Sequence, residues 1–153
     1  PRAGGEVDRA KPETVRGCLH VPDITHDLFL AAREAMAKAY APYSHFPVGA
    51  ALRTADGRTY AGANIENASY PEGWCAETTA LGHYVMGGGG EITDIAVVAE
   101  RMNRITPCGG CRQRLAEFSR PSTRLHLCDQ NGVVETLTMG DILPLGFSGE
   151  ILK

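Results

Sequence analysis

Three cysteines and one glutamate in this sequence have the types and spacing of a metal-dependent active site. Cys75 and Glu77 are two residues apart, and Cys108 and Cys111 form a C-x-x-C pair further along the chain. Residues three apart share a helix face, whereas residues two apart do not. A catalytic zinc ion takes three protein ligands and keeps a fourth position for water. The spacing therefore predicts a zinc site with three thiolate ligands, with Glu77 as a proton carrier beside it.

Both cysteine segments have the features of helix starts. Thr106 is expected to cap a helix that begins at Pro107, because proline has no first-turn N–H group to satisfy. Cys75 follows a turn-like Pro-Glu-Gly sequence and opens an apolar helical segment. Helix N-termini carry partial positive charge, which lowers the pKa of a thiol from its free value of about 8.5. Three thiolates around one divalent ion leave a net negative charge, so this stabilisation is needed.

A C-x-x-C pair by itself does not establish this chemistry. Such pairs also occur in redox proteins, and they form half of many structural zinc sites, in which four protein ligands close the metal. A non-catalytic zinc or redox protein that uses only Cys108 and Cys111 is therefore an alternative. Replacement of Cys75 with alanine separates the two hypotheses, since a redox pair would not lose zinc.

The combination of C-A-E with P-C-G-G-C is the three-cysteine form of the signature of zinc-dependent nucleobase deaminases. On these motifs the chain resembles the cytidine deaminase family, in its small homotetrameric type. The resemblance covers about residues 28–152, and the motifs come in the family's order. The matching segments are Tyr43–Leu52, Asn64–Tyr70, Cys75–Glu77, Pro107–Gln113 and, more weakly, Leu143–Phe147.

The resemblance implies hydrolytic deamination of cytidine and 2′-deoxycytidine to uridine and 2′-deoxyuridine with release of ammonia, a reaction of pyrimidine salvage. It implies one Zn²⁺ per subunit, bound by Cys75, Cys108 and Cys111. Zinc lowers the pKa of a bound water toward about 7, so that hydroxide becomes the nucleophile. Glu77 is expected to take the proton from that water, pass it to N3 of the ring, and later protonate the leaving ammonia.

The same resemblance implies a set of substrate contacts. Asn64 and Glu66 are expected to alternate on a strand end, so that both can point the same way, and an amide with a carboxylate suits the hydroxyls of a sugar. In the family these positions hold the ribose 3′-OH. Phe46 matches the aromatic residue that stacks on the pyrimidine, and the Ala76 backbone matches the group that binds the base carbonyl. A polar strand end and a core phenylalanine are the simpler alternatives.

Other matching positions imply assembly. Ala68, Tyr70 and Phe147 match residues that family members donate to the site of a neighbouring subunit, so a homotetramer with shared active sites is expected. The chain departs from the family at Thr78, where an arginine commonly follows the glutamate and offsets the thiolate charge. We expect Arg112 and the two helix starts to take over part of that role.

Two further functions remain open at this point. One is deamination of another small aminopyrimidine nucleoside, such as a nucleoside antibiotic of the blasticidin S type. The other is deamination of a base within RNA or DNA, against which Asn64 and Glu66 argue, since a ribose clamp has no purpose where the 3′-oxygen is bonded. A small-molecule nucleoside substrate is therefore favoured.

Composition excludes several other classes. The 153-residue chain is 43% hydrophobic and 22% charged, with a formal net charge of −3, which argues against a nucleic-acid partner. Six arginines between residues 101 and 124 are interpreted as a solvated face. Five cysteines without a disulfide-framework spacing are typical of a reducing compartment. With no apolar run of about 18 residues and no signal-peptide core in the first 20, a cytoplasmic location is expected.

Hydrophobic periodicity predicts an irregular N-terminal leader over residues 1–26 and one domain over residues 27–153. We expect the first helix to be capped by Thr25 or Asp27, and the strands after residue 74 to run parallel because helices alternate with them. The fold class is α/β, a three-layer α/β/α sandwich with a mixed five-stranded sheet. Strands are predicted at 46–54, 58–65, 92–99, 125–128 and 133–137, and helices at 27–41, 75–86, 107–118 and 138–143.

Overall fold

The computed structural model describes residues 23–152, which form a five-stranded mixed sheet with helices on both faces. The predicted three-layer α/β/α fold is confirmed. The strands are β1 (Val48–Thr54), β2 (Thr59–Ala63), β3 (Ile92–Ala99), β4 (Arg124–Cys128) and β5 (Val133–Thr138). The helices are α1 (Ile24–Met36), α2 (Ala76–Met86), α3 (Gly109–Phe118) and α4 (Met139–Ile142), with 3₁₀ turns at Tyr70–Glu72 and Gly149–Leu152.

The sheet order is β2-β1-β3-β4-β5, and only the central β3–β4 pair is parallel. The prediction that all strands after residue 74 run parallel is therefore wrong for β5. The connection from Cys128 to Val133 is too short to hold a crossover helix, which parallel pairing requires. It closes a hairpin instead, in which Asp129 N donates to Gly132 O at 2.9 Å. The antiparallel hairpin predicted at β1 and β2 is confirmed.

The first helix begins earlier than the sequence pattern predicts. Asp23, rather than Thr25 or Asp27, is the N-cap, because its Oδ1 accepts hydrogen bonds from the backbone N–H groups of Thr25 and His26. Residues 24–26 are thus helical, and the predicted boundary of the leader at residue 26 is wrong. Residues 1–22 of that leader, including Cys18, lie outside the described residues.

Two apolar clusters hold the layers together. On one face α1 packs on the sheet, and on the other face α2 and α3 cover the side chains of β3 and β4. Helix α2 ends at the glycine run, as predicted, with Gly87 as its C-cap and left-handed φ angles at the next three glycines. Within residues 23–152 we find no helix that is both long and apolar enough to cross a membrane.

Helix α2 lies unusually close to the edge strand β2, and this contact fixes its start. A Cβ atom added at Gly62 would lie 2.4 Å from Ala80 N and 2.8 Å from Ala76 O, which are backbone atoms and cannot move aside. We expect Gly62→Ala to destabilise the protein by roughly 1–3 kcal/mol, as overpacking does. The free energy of unfolding in urea measures this effect.

Gly82 of the same helix supplies the matched control. A Cβ atom at Gly82 would meet nothing within 4 Å, so Gly82→Ala is expected to raise stability by up to about 1 kcal/mol through helix propensity. If both variants unfold at the same urea concentration, helix α2 and strand β2 are not in the close contact described.

Candidate metal centre and active site

The three predicted zinc ligands meet in space. Cys75 Sγ lies 3.8 Å from Cys108 Sγ, and the sulfur atoms of Cys75, Cys108 and Cys111 all lie within 4.8 Å of one another. Zn–S bonds of about 2.3 Å in tetrahedral geometry place two sulfurs roughly 3.8 Å apart, so the arrangement fits a zinc ion. No second group of three such potential ligands occurs within residues 23–152.

The N-termini of α2 and α3 bring these sulfurs together. Cys75 is the N-cap of α2 and Cys108 is the N-cap of α3, and neither side chain caps its own helix, so both sulfurs are available to a metal. The prediction that Thr106 caps this helix is wrong, because the backbone of Cys108 is still extended (ψ 167°) and the helix begins at Gly109. Cys111 then lies in the first turn, as expected.

Glu77 lies beside the sulfur cluster, on the first turn of α2. Its side chain is buried, with 4% of its surface exposed, and its Oε2 lies 3.4 Å from Cys111 Sγ. Burial raises the pKa of the Glu77 carboxyl above its ordinary value. The Glu77 carboxyl thus contacts one of the three clustered cysteines and is not itself part of the sulfur cluster.

The thiols of the cluster differ in acidity. The pKa of Cys75 is lowered to about 6, first because a hydrogen bond from the Cys111 side chain favours the Cys75 thiolate. The pKa of Cys111 is raised, first by the same hydrogen bond and then by burial. Since zinc binds thiolates, all three cysteines must be deprotonated when the metal is bound.

A short backbone bridge joins the segment of Asn64 and Glu66 to the segment of Cys75. Ile65 and Trp74 exchange two N–H···O hydrogen bonds of 2.9 Å, and Trp74 immediately precedes Cys75. This bridge places Asn64 and Glu66 next to the segment that carries the first sulfur. The strand β2 itself ends at Ala63, so the two polar residues lie just beyond it.

Asn64 is bound to the segment that carries Phe46. Its Oδ1 accepts a hydrogen bond from Val48 N at 2.8 Å, and its Nδ2 donates to Phe46 O at 3.0 Å. Phe46 is half-buried and belongs to neither apolar cluster, so it is not a core phenylalanine. The amide of Asn64 therefore fixes the backbone on both sides of Pro47.

Glu66 binds the same segment through residues that precede Phe46. Its Oε2 accepts from Tyr43 N at 2.9 Å and from Ser44 N at 3.2 Å, and its Oε1 accepts from the Ser44 hydroxyl. These donors together hold the pKa of the Glu66 carboxyl below its ordinary value, and the Ser44 hydroxyl has the largest effect. The Y-S-H-F motif does not by itself reveal this role of Ser44, since the partner of its hydroxyl is 22 residues away in the chain.

The residues expected to serve a neighbouring subunit lie on the surface. Tyr70 and Phe147 are 75% and 59% exposed, and Ala68 is also exposed. The ring of Tyr70 lies 6.1 Å from the ring of Tyr43, and the Phe147 carbonyl accepts a hydrogen bond from Gln113 of α3 at 2.8 Å. Both aromatic side chains therefore remain largely uncovered.

Two arginines of α3 lie near the thiolates. Arg112 donates to the carbonyls of Pro107 and Ile142 and to the Thr106 hydroxyl, so its guanidinium holds the chain just before Cys108. The sequence analysis did not identify Arg114, whose positive charge lowers the pKa values of both Cys75 and Glu77. Its guanidinium lies over Gly110, with Nη1 3.1 Å from the position of a Cβ there.

Comparison with known proteins identifies the class. Residues 23–126, which contain all three sulfur ligands and Glu77, match the family model described as the cytidine and deoxycytidylate deaminase zinc-binding region. The chain is 43% identical over 126 residues to a cytidine deaminase of Sporosarcina psychrophila, across 82% of this chain and 93% of the relative. The chain therefore belongs to the cytidine and deoxycytidylate deaminase family.

Solved structures agree with this assignment. A cytidine deaminase from Burkholderia pseudomallei superposes with a TM-score of 0.76 at 48% identity, covering 80% of this chain and 98% of that one. A cytidine deaminase from Mycobacterium tuberculosis gives a TM-score of 0.71 at 37% identity, over 79% and 94% of the two chains. The fold of this chain thus matches that of solved cytidine deaminases over about four fifths of its length.

Proposed function

We propose that this protein catalyses the hydrolytic deamination of cytidine and 2′-deoxycytidine to uridine and 2′-deoxyuridine, with release of ammonia. The observation that carries the proposal is the cluster of three cysteine sulfurs within 4.8 Å of one another, with the carboxylate of Glu77 against it. The similarity to proteins named cytidine deaminase supports the choice of substrate.

One zinc ion per subunit would be bound by Cys75, Cys108 and Cys111. When bound, zinc supplies a Lewis acid that makes water a usable nucleophile near neutral pH. The helix N-termini at Cys75 and Cys108 direct partial positive charge at the thiolates, which stabilises them. Arg112, by holding the segment before Cys108, and Arg114, by its charge, are proposed to assist in place of the arginine that Thr78 replaces.

Glu77 is proposed to move the protons of the reaction. As water adds to C4 of the cytosine ring, Glu77 accepts a proton from it and delivers that proton to N3. The second proton of that water passes from the new C4 hydroxyl through Glu77 to the exocyclic nitrogen, so that the C4–N bond breaks as the C4=O bond forms and ammonia leaves. The burial of Glu77 keeps bulk water from competing for these protons.

The remaining predicted residues are proposed to bind the nucleoside. Phe46 stacks on the pyrimidine ring, and Asn64 and Glu66 bind the ribose 3′-OH. The N–H group of Ala76 lies in the first turn of α2, where N–H groups have no acceptor within the helix, so it can donate to the base carbonyl.

The active site is proposed to be completed in a homotetramer. Ala68, Tyr70 and Phe147 are the residues that a neighbouring subunit would place in each site. Their exposure supports this, since large apolar side chains that solvent would otherwise surround are typical of interfaces. Trp74 and Leu145 are further large apolar side chains that are exposed.

The alternatives are less well supported. The relatives carry the name cytidine deaminase, which does not favour a nucleoside antibiotic of the blasticidin S type as the substrate. A redox pair of Cys108 and Cys111 would leave the approach of Cys75 to Cys108 unexplained. Cys128, which lies outside the sulfur cluster, is a free thiol, and this supports a reducing compartment, the cytoplasm. The proposed role in pyrimidine salvage follows from the proposed reaction.

A substrate panel tests the proposed function. We expect the ultraviolet absorbance of cytidine and 2′-deoxycytidine to shift to that of uridine products with the zinc-loaded protein, while adenosine and blasticidin S stay unchanged. Ammonia release should equal product formation. Sedimentation velocity on the same sample tests the tetramer. Absence of turnover on both cytidine nucleosides would contradict the proposal.

A further inference from the structure

We propose that Ser44 is a positioning residue, which orients the carboxylate of Glu66 toward the sugar 3′-hydroxyl and joins it to the segment that carries Phe46. This inference rests on the proposed function of the site. It arises from a chain of hydrogen bonds in which Phe46 N donates to Ser44 Oγ at 3.0 Å, and the Ser44 hydroxyl donates to Glu66 Oε1.

The number of donors around Glu66 supports this role. An ionised carboxylate has about four lone-pair sites on its two oxygens. Tyr43 N and Ser44 N use two of them on Oε2, and the Ser44 hydroxyl uses a third on Oε1. One acceptor position on Oε1 therefore remains, and the other three hydrogen bonds fix its direction.

Open space next to this carboxylate allows a ligand to reach it. A pocket of about 310 Å³ lies beside the network, and its lining residues are Tyr43, Ser44, Glu66, Asn67, Tyr70 and Gly73. Among the described residues, no cationic side chain lies within salt-bridge distance of Glu66. Hydrogen-bond donors, the Ser44 hydroxyl most of all, stabilise the charge of Glu66, and the neighbouring His45 adds a smaller electrostatic contribution. Loss of the Ser44 hydroxyl therefore removes a large part of what keeps the carboxylate in place.

The backbone between Ser44 and Phe46 needs this support. His45 has a φ of +52°, in the left-handed region, and it is the one residue other than glycine with positive φ in the described part of the chain. Such a conformation persists only where neighbouring contacts hold it. The Ser44 hydroxyl makes those contacts on both sides, one to Glu66 and one to Phe46 N. A single hydroxyl thus couples the sugar contact to the base contact.

The test compares cytidine with 3′-deoxycytidine in wild type and in Ser44→Ala, both loaded with zinc. We expect wild type to prefer cytidine in kcat/KM, and we expect Ser44→Ala to reduce that preference on the order of tenfold, as for loss of one hydrogen bond to a charged group. Zinc content should remain one per chain. Ser44→Thr, which keeps the hydroxyl, should restore the preference.

A merely structural role gives a different result. If Ser44 only stabilises the loop, Ser44→Ala weakens both substrates equally and the preference for cytidine does not change, which would overturn the inference. The pH profile is a second readout. As the pH is lowered, the KM for cytidine should begin to rise at a higher pH in Ser44→Ala than in wild type, because the pKa of Glu66 increases when its hydrogen-bond donor is lost.

A control variant and the wild type separate the remaining outcomes. Ser122→Ala removes an exposed serine far along the chain, in the loop before β4, and should match wild type in every assay. If wild type turns over neither cytidine nucleoside, the proposed function itself fails. If wild type turns over cytidine and 3′-deoxycytidine equally well, the function stands but the inference about Ser44 is wrong.

Discussion

Glu77→Gln is expected to keep its zinc and to lose turnover of cytidine by roughly 10²–10⁴-fold or more, the usual contribution of a positioned acid–base group. Glutamine has nearly the same shape as glutamate, so it fits the buried position beside Cys111 without a cavity. It cannot accept a proton from water and return it to the ring. Zinc content and single-turnover rates of the purified variant measure the two effects separately.

Glu100→Gln is a suitable control for that variant. Glu100 is exposed at the end of β3, and its replacement changes the net charge by the same amount without touching the cluster. It should retain wild-type turnover. Appreciable activity in Glu77→Gln, at full zinc content, would show that another group moves the protons and would contradict the proposed mechanism.

Cys75→Ala is expected to lose zinc and activity together. The variant removes one of the three sulfurs that lie within 4.8 Å of one another and leaves only the C-x-x-C pair. Loss of a residue that merely orients a ligand costs roughly 10–100-fold in metal affinity, so loss of a ligand should cost at least 100-fold. Zinc retained after dialysis against a competing chelator measures the change.

Cys128→Ala is the matched control for the loss of a thiol. Cys128 is a buried free cysteine on the α1 face of the sheet, outside the sulfur cluster, and burial raises the pKa of its thiol to about 12. That variant should keep its zinc, with only a modest loss of stability. Full zinc content in Cys75→Ala would favour a site that uses Cys108 and Cys111 alone. It would contradict the proposed catalytic centre of three cysteines.

A few backbone interactions place the segment of Asn64 and Glu66 next to Cys75. The Ile65–Trp74 bridge brings the end of β2 next to Cys75, and the close packing of α2 on Gly62 fixes where α2 begins. A change at Gly62 should therefore alter zinc binding as well as stability. Asn64 and Glu66, on either side of Ile65, hold the loop that carries Ser44 and Phe46, so the proposed sugar and base contacts are linked to the bridge that positions Cys75.

Some errors of the sequence analysis have a local physical cause. Thr106 and Pro107 look like a helix start, but the helix begins two residues later, because an extended backbone at Cys108 leaves its sulfur free. The direction of β5 depended on a loop that is too short for a crossover helix, and alternation of element types alone did not reveal that.

The sequence by itself determined the chemistry of the site and the order of the elements. Cysteine and glutamate spacing predicts a candidate ligand set. Hydrophobic periodicity predicts every strand and α-helix within a few residues except the end of α1, which lies at Met36 rather than at residue 41. Both kinds of pattern depend on neighbours close in the chain. Only the tertiary structure decided which distant groups meet. The hydrogen bonds of Glu66 to Ser44, the charge of Arg114 beside Cys75 and the bridge to Trp74 join separate segments, whose approach depends on the packing of the whole sheet.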